Sequence, residues 1–150
     1  MAAMEPFTGQ EVLAVSIDKA MHALRDLEGV AKSMSDVESV ERADANTLKL
    51  VVRPGFSFMR GTMRTTLSCK ETAPQTLTLV ATSAGIGMGI TVESVMKFSS
   101  TAAQETRIDW TACVTERKGL VSAVGQSLIK AAADKVLKDG WTAVRSSLAS

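Results

Sequence analysis

The side chains able to do acid–base, nucleophilic or metal chemistry are few and scattered in this chain of 150 residues. His22 is the sole histidine, and it stands four residues from both Asp18 and Asp26, a spacing typical of a solvated helix face. A catalytic triad or a metal site needs further partners. Cys69 and Cys113 fit no metal or redox spacing. The sequence therefore predicts no catalytic residue, no metal site and no cofactor.

Two other motifs are candidates for binding anions. The run GIGMG at 85–89 is similar to part of a phosphate-binding glycine loop, but a strand pattern follows it instead of a helix. We interpret it as a flexible link. Arg53, Arg60 and Arg64 form a basic cluster, which either meets an anionic head group or acidic partner or is a solvated strand face.

The main functional candidate is a set of apolar side chains predicted to point inward from strands and from the last helix. Such a set is either a filled core or the lining of an apolar ligand cavity. It contains no His, Asp, Glu or Tyr, and so offers little acid–base chemistry. Thr65 and Ser94, also predicted inward, either orient a ligand carbonyl or satisfy themselves. The predicted cavity lining is Leu48, Leu50, Met63, Leu67, Leu79, Val92, Met96, Ile108, Trp110, Val124, Leu128 and Val136.

A second apolar group lies in a predicted turn after Pro54. Phe56, Phe58 and Met59 are unusual there, because loops normally face water. They are predicted to form the cavity entrance or a partner-docking patch, with a hairpin tip folded onto the core as the alternative.

The elements that would position these residues follow from the hydrophobic period. A first strand at 7–15 precedes short amphipathic helices at 17–27 and 30–34, the first capped by Ser16. From Val37 to Val114 the period is two and breaks at turn residues, which predicts six more strands. Apolar residues then recur at helical spacing over 118–148, about 45 Å of helix.

This order predicts an α+β fold. Consecutive strands joined by short turns favour an antiparallel meander. Each strand has one apolar face, and the last helix is the large element available to cover it. We therefore expect a curved seven-stranded sheet wrapped around the C-terminal helix, with an apolar cavity between them.

The composition limits which classes of partner, such as nucleic acid or membrane, the sequence supports. The formal net charge of +1 gives no general attraction to nucleic acid. The longest apolar-leaning stretch is too short to span a bilayer, and the N-terminus has no signal-peptide pattern. The sequence predicts one domain over 1–150, cytoplasmic, without stable membrane insertion.

Three segments resemble a known family. SIDKAMHALRDLEGVAKSMSDVESVE (16–41) is similar to its helix pair and second strand. FMRGTMRTTLSCKETAP (58–74) is similar to a hairpin strand, with Gly61 and Arg64 in step. TRIDWTACVTERKGLVSAVGQSLIKAAADKVLKDGWTAV (106–144) is similar to its last strand and helix. The chain resembles the CoxG-like family of the SRPBCC superfamily, named after the G subunit of carbon monoxide dehydrogenase, which has the START- and Bet v-type helix-grip fold.

The resemblance implies a non-catalytic protein with a deep apolar cavity. It implies a carrier of a hydrophobic small molecule, quinone- or lipid-like, associated with a carbon monoxide dehydrogenase-type molybdenum enzyme. The alternative is a maturation or docking partner of a molybdenum hydroxylase without a transported ligand.

Overall fold

The described residues form one sheet and three helices. The computed structural model describes residues 6–25, 27–34, 36–53, 61–85, 87–119 and 126–149. The strands are β1 Phe7–Leu13, β2 Val37–Asp44, β3 Thr47–Val52, β4 Met63–Ala73, β5 Thr76–Gly85, β6 Met88–Ala102 and β7 Glu105–Gly119. The helices are α1 Ile17–Arg25, α2 Glu28–Ser33 and α3 Gln126–Ala149.

All strand pairs are antiparallel, and the sheet order is β1-β7-β6-β5-β4-β3-β2. Strands β2 to β7 are hairpin neighbours, and β1 pairs with β7. A side-chain hydrogen bond stabilises the β2–β3 turn, where the Asn46 backbone N–H donates to the Asp44 carboxylate at 2.8 Å. The predicted curved seven-stranded antiparallel sheet is confirmed.

The first helix begins where the sequence predicts. The Ser16 hydroxyl accepts a long hydrogen bond from the Lys19 backbone N–H at 3.4 Å, as an N-cap does. Ala20, Met21 and Leu24 form its buried face. This face packs against β4, β5, β6 and β7. We call the sheet face that receives the helices the inner face.

The start of the last helix was predicted wrongly. Lys118 and Gly119 belong to β7, where they pair with Gly89 and Met88. A Cβ atom on Gly119 would lie 2.1 Å from the carbonyl oxygen of Gly87, and its φ is 65°. Glycine is therefore required because the strand end closely approaches the β5–β6 turn. Helix α3 has 24 residues, about 36 Å at the standard helical rise.

The predicted link at 85–89 is also shorter than expected. Strand β5 runs to Gly85 and β6 starts at Met88. Their register continues to the pair Gly85 and Met88. Most of the glycine run is therefore strand and hairpin.

The main core lies at one end of the inner face. It joins the ends of the central strands to α1 and to the C-terminal half of α3, and Thr106 satisfies its buried hydroxyl by donating to the Val15 carbonyl at 2.9 Å. We call this the closed end. Its members include Leu77, Phe98, Ile108, Ala143 and Val144.

Candidate ligand-binding face

Five of the predicted lining residues are part of the packed interior. Each has at most 6% of its surface exposed, so they support the fold. Leu48 and Leu50 form a smaller cluster with Ala31 of α2, while Met96 and Ile108 belong to the main core. Met63 is also buried.

Four others lie on the inner face but remain partly exposed. These are Leu67, Leu79, Val92 and Trp110. Leu67 borders the smaller cluster, and Leu79 and Trp110 border the main core. They are the predicted lining residues that solvent or a ligand can reach.

The rest of the predicted site is only partly within the described structure. Phe56, Phe58, Met59 and Val124 lie outside the described residues, as does the side chain of Leu128. Val136 of α3 is 53% exposed and is not enclosed. The side of α3 packed into the core carries Trp141, Val144 and Leu148, and Val136 is turned about a quarter of a circle or more away from it.

The second end of the inner face is apolar but incompletely covered. Ala81 pairs with Val92, and Val92 pairs with Val114, so the three share the inner face. They and Ile90 are all partly exposed. We call this the open end, defined by Ala81, Ile90, Val92 and Val114. On β5 to β7 burial is lower here because α1 and the described core residues of α3 lie over the other end. On β3 and β4, by contrast, Leu48, Leu50 and Met63 are buried in the same rows or the next one.

Trp110 stands between the two ends. Its indole lies against Gly9 of β1, since a Cβ there would meet Trp110 Cζ2 at 2.5 Å. The indole nitrogen Nε1 is fully buried and has no hydrogen-bond partner among the described residues. A buried unpaired donor costs about 1–3 kcal/mol. The chain therefore holds a buried N–H group at the edge of its apolar face, with no protein acceptor in the described part.

Polar groups on the inner face are mostly paired. The Thr65 and Ser83 hydroxyls lie 2.7 Å apart. Glu11 faces inward, opposite Ile108, and pairs with Arg145 of α3 at 3.0 Å. The expectation that no carboxylate points inward was thus wrong. Sequence alternation along β1 is the signal that could have found Glu11.

Glu71 also lies on the inner side, opposite Leu77 at the end of β4. It pairs with Arg25 of α1 at 3.4 Å. Both inward carboxylates of the described strands are therefore held by arginines at the rim of the core.

Two hollows are lined by described residues. One, between α1 and the strands at Leu48, Leu67, Cys69 and Leu79, has a volume of only about 10 Å³, room for about one water. The other, of about 360 Å³, lies on the outer face of β1, β7 and β6, and most of its lining residues are polar. It is lined by Thr8, Gly9, Gln10, Val95, Lys97, Asp109, Trp110 and Thr111. Neither has the form of the predicted apolar cavity.

The two thiols are free, and Cys69 is buried in the core. Burial raises the pKa of the Cys69 thiol to about 11, and its Sγ–H donates to the Leu24 carbonyl at 3.4 Å. This thiol is a poor nucleophile near neutral pH. The described residues contain no metal-binding group of three or more His, Cys, Asp or Glu side chains. No described helix is long and apolar enough to cross a membrane.

Solved structures place this fold in a known class. A conserved protein from Geobacillus kaustophilus matches 97% of the chain and 95% of its own with a TM-score of 0.84 at 18% identity. A START superfamily protein from Mycobacterium smegmatis matches 94% of each chain with a TM-score of 0.69 at 13% identity. The Zhui aromatase/cyclase from a Streptomyces species matches 95% of this chain and 92% of its own, with a TM-score of 0.69 at 15% identity. The chain has a START-like helix-grip fold.

The sequence identifies the family within that class. Residues 9–149 match the family described as the G subunit of carbon monoxide dehydrogenase (CoxG). The chain belongs to the CoxG family. A search of curated proteins found no match. The family and the fold together suggest a ligand-binding protein of the carrier type.

Proposed function

We propose that this protein is a non-catalytic carrier of a hydrophobic small molecule, quinone- or lipid-like, bound on the inner face of the sheet beside α3. The observation that carries the proposal is the open end, where apolar side chains on neighbouring strands are left partly exposed. Contiguous apolar surface on a curved sheet face supports a ligand site there. Burying about 300 Å² of apolar ligand surface contributes roughly 7 kcal/mol before association costs.

Trp110 supplies the polar contact of this proposed site. A ligand oxygen next to the indole N–H would satisfy a donor that has no acceptor among the described residues, and because this nitrogen is fully buried, the contact requires the Trp110 ring to shift. Apolar sites commonly fix a ligand's orientation with a few such groups. A carbonyl-bearing ligand such as a quinone has the matching acceptor. The donor lies at the boundary of the core, so the ligand would run from it towards the open end.

The absence of catalysis is part of the proposal. An aromatase/cyclase is among the structures with this fold. The fold alone therefore does not show whether this protein is an enzyme. In the described strands the inward carboxylates Glu11 and Glu71 are engaged by arginines. His22 lies exposed on α1, away from the inner face. These groups offer no free acid–base pair beside the open end.

Ligand uptake tests the proposal directly. Purified protein is incubated with menaquinone analogues and several lipid classes, and binding is read by native mass spectrometry and tryptophan fluorescence. Ala81→Phe fills the open end and is expected to abolish uptake. Thr82→Phe, the neighbour on the outer face, is the matched control and keeps it. If no compound of any class binds the wild type, the carrier function is rejected.

The family name supports a further part of the proposal, association with a carbon monoxide dehydrogenase-type enzyme. A carrier that delivers its ligand need not hold such an enzyme stably, whereas a docking partner must. Capture of the molybdenum enzyme by the wild type and equally by Ala81→Phe would favour the docking function. Capture that requires bound ligand would favour the carrier.

A further inference from the structure

Arg117 lies on the inner face beyond Val114, in the row next to that of Gly85, Met88 and Gly119 at the end of the sheet. The register runs across four strands, pairing Thr65 with Ser83, Ser83 with Ile90, and Ile90 with Arg117. Directly paired residues project from the same face of an antiparallel sheet. The Thr65–Ser83 hydroxyl contact of 2.7 Å shows that this row shares one face. Leu50, opposite Thr65 and buried against α2, identifies it as the inner face.

A bulge in β7 produces this orientation. Thr91 pairs with Glu116 and Val92 with Val114, so Thr115 is an extra residue in the ladder. Strict alternation from Val114 would have pointed Glu116 inward. The extra residue reverses the order, so that Glu116 faces out and pairs with Lys118 at 3.1 Å. The bulge thereby exchanges an inward carboxylate for an inward guanidinium.

The charge of Arg117 is not neutralised by the described protein. Arg117 is partly buried and forms no ion pair or hydrogen bond with any described residue. Most other described arginines are paired, among them Arg25, Arg53, Arg107 and Arg145. A guanidinium beside apolar surface binds carboxylate or phosphate oxygens through two parallel N–H bonds.

The inner face thus combines one cationic side chain, Arg117, with the apolar side chains of the open end. Arg117 is seven positions from Trp110 along β7, on the order of 20 Å. Val114 and Val92 lie between them on the same face. That is the length of a long acyl or alkyl chain with a charged group at one end.

We propose that the ligand is an anionic amphiphile, a long-chain carboxylate or alkyl phosphate, whose head group binds Arg117 and whose chain lies over the open end. The polar contact is then at Arg117 and replaces the ligand oxygen at the Trp110 N–H. This deepens the proposed carrier function and depends on it. Thr65 and Ser83 stand in the same row, and because one hydroxyl donates to the other, the pair has one O–H left to donate to the head group. The apolar chain supplies most of the affinity, and the arginine selects the charge.

Binding of matched long-chain probes tests the charge selection. Dissociation constants are measured by calorimetry for palmitate, hexadecyl phosphate and hexadecanol, each below its aggregation concentration. The wild type is expected to bind at least one anionic probe about tenfold or more tightly than the alcohol. The tighter of the two anions identifies the head group as carboxylate or phosphate.

Substitution of the arginine separates this inference from the carrier function. Arg117→Gln is expected to weaken anion binding about tenfold and leave hexadecanol binding unchanged, and Arg117→Lys to give a smaller loss. Arg64→Gln, an exposed arginine on the outer face, is the matched control. Equal binding of all three probes, or no effect of Arg117→Gln, overturns the inference and keeps the carrier. No binding of any probe, the alcohol included, counts against the carrier function itself.

Discussion

The closed and open ends of the inner face differ in what covers them. Leu77 and Ile108 at the closed end are completely buried beneath α1 and α3. Val114, on the same strand as Ile108, and Val92 on the neighbouring strand β6 stay partly exposed. The strand alternation is the same at both ends, so the pattern alone does not separate residues that stabilise the fold from residues available to bind.

The closed end and the open end therefore have different roles. Burial at the closed end contributes the apolar transfer free energy that stabilises the domain. Partial exposure at the open end leaves part of that free energy unrealised until another apolar surface covers it. The same residue type should therefore affect stability at one end and ligand affinity at the other.

Truncation of one isoleucine at each end gives the largest expected difference. Ile108→Ala removes a fully buried side chain and is expected to cost about 2–5 kcal/mol of unfolding free energy. Ile90→Ala, the same change at the open end, is expected to cost about 1 kcal/mol or less and to weaken ligand uptake. Urea denaturation measures both. Equal losses at the two sites would show that the open end is as well packed as the core.

Gly9 tests the boundary between the ends. A Cβ there would lie 2.5 Å from the Trp110 ring, so Gly9→Ala is expected to cost about 1–3 kcal/mol by overpacking. The indole must also move, which changes the tryptophan fluorescence. Gly140→Ala is the control, because nothing lies within 4 Å of its Cβ, and it is expected to stabilise α3 by up to about 1 kcal/mol. An unchanged spectrum for Gly9→Ala would show that the indole does not rest on β1.

Two valines on α3 extend the comparison to the covering helix. Val144 is 4% exposed and Val136 is 53% exposed. Val144→Ala is expected to cost about 1–2 kcal/mol, and Val136→Ala less than about 0.5 kcal/mol. Thermal unfolding compares them. A loss at Val136 as large as that at Val144 would mean that this face of the helix is covered.

Cys69 provides the most specific test of burial at the closed end. Burial raises the pKa of its thiol from 9.0 to about 11, so the folded state keeps a proton that the unfolded state releases first. The stabilisation is full below pH about 9 and is lost as the pH rises to about 11. Unfolding free energies are compared between Cys113→Ala and the double variant that adds Cys69→Ala. The single variant should lose more stability over this range, and a constant difference would contradict the burial of the thiol.

Much of the fold could be predicted from local patterns. The period of two assigned inward faces along β3 to β7, and the helical stripe with its Ser16 cap identified α1. These features depend on sequence neighbours alone, because side chains alternate in strands and recur every three or four residues in helices. The family resemblance rests on the same fold-bearing positions, and residues 9–149 bear it out.

The site could be predicted less well, because it depends on what packs over each strand. Met96 and Val92 are four residues apart on one face, yet the first is buried and the second accessible. The inward orientation of Arg117 could not be predicted for a different reason. One extra residue at Thr115 reversed the alternation beyond Val114, and no periodic rule places a bulge.

The sequence by itself determined the strand faces, the order of elements and the family. The tertiary structure decided where β7 ends, which end of the sheet the helices cover, and that Arg117 faces inward. The physical reason is the sequence separation of the interactions. Side-chain alternation is a property of adjacent residues, whereas burial and register arise from contacts between segments far apart in the chain.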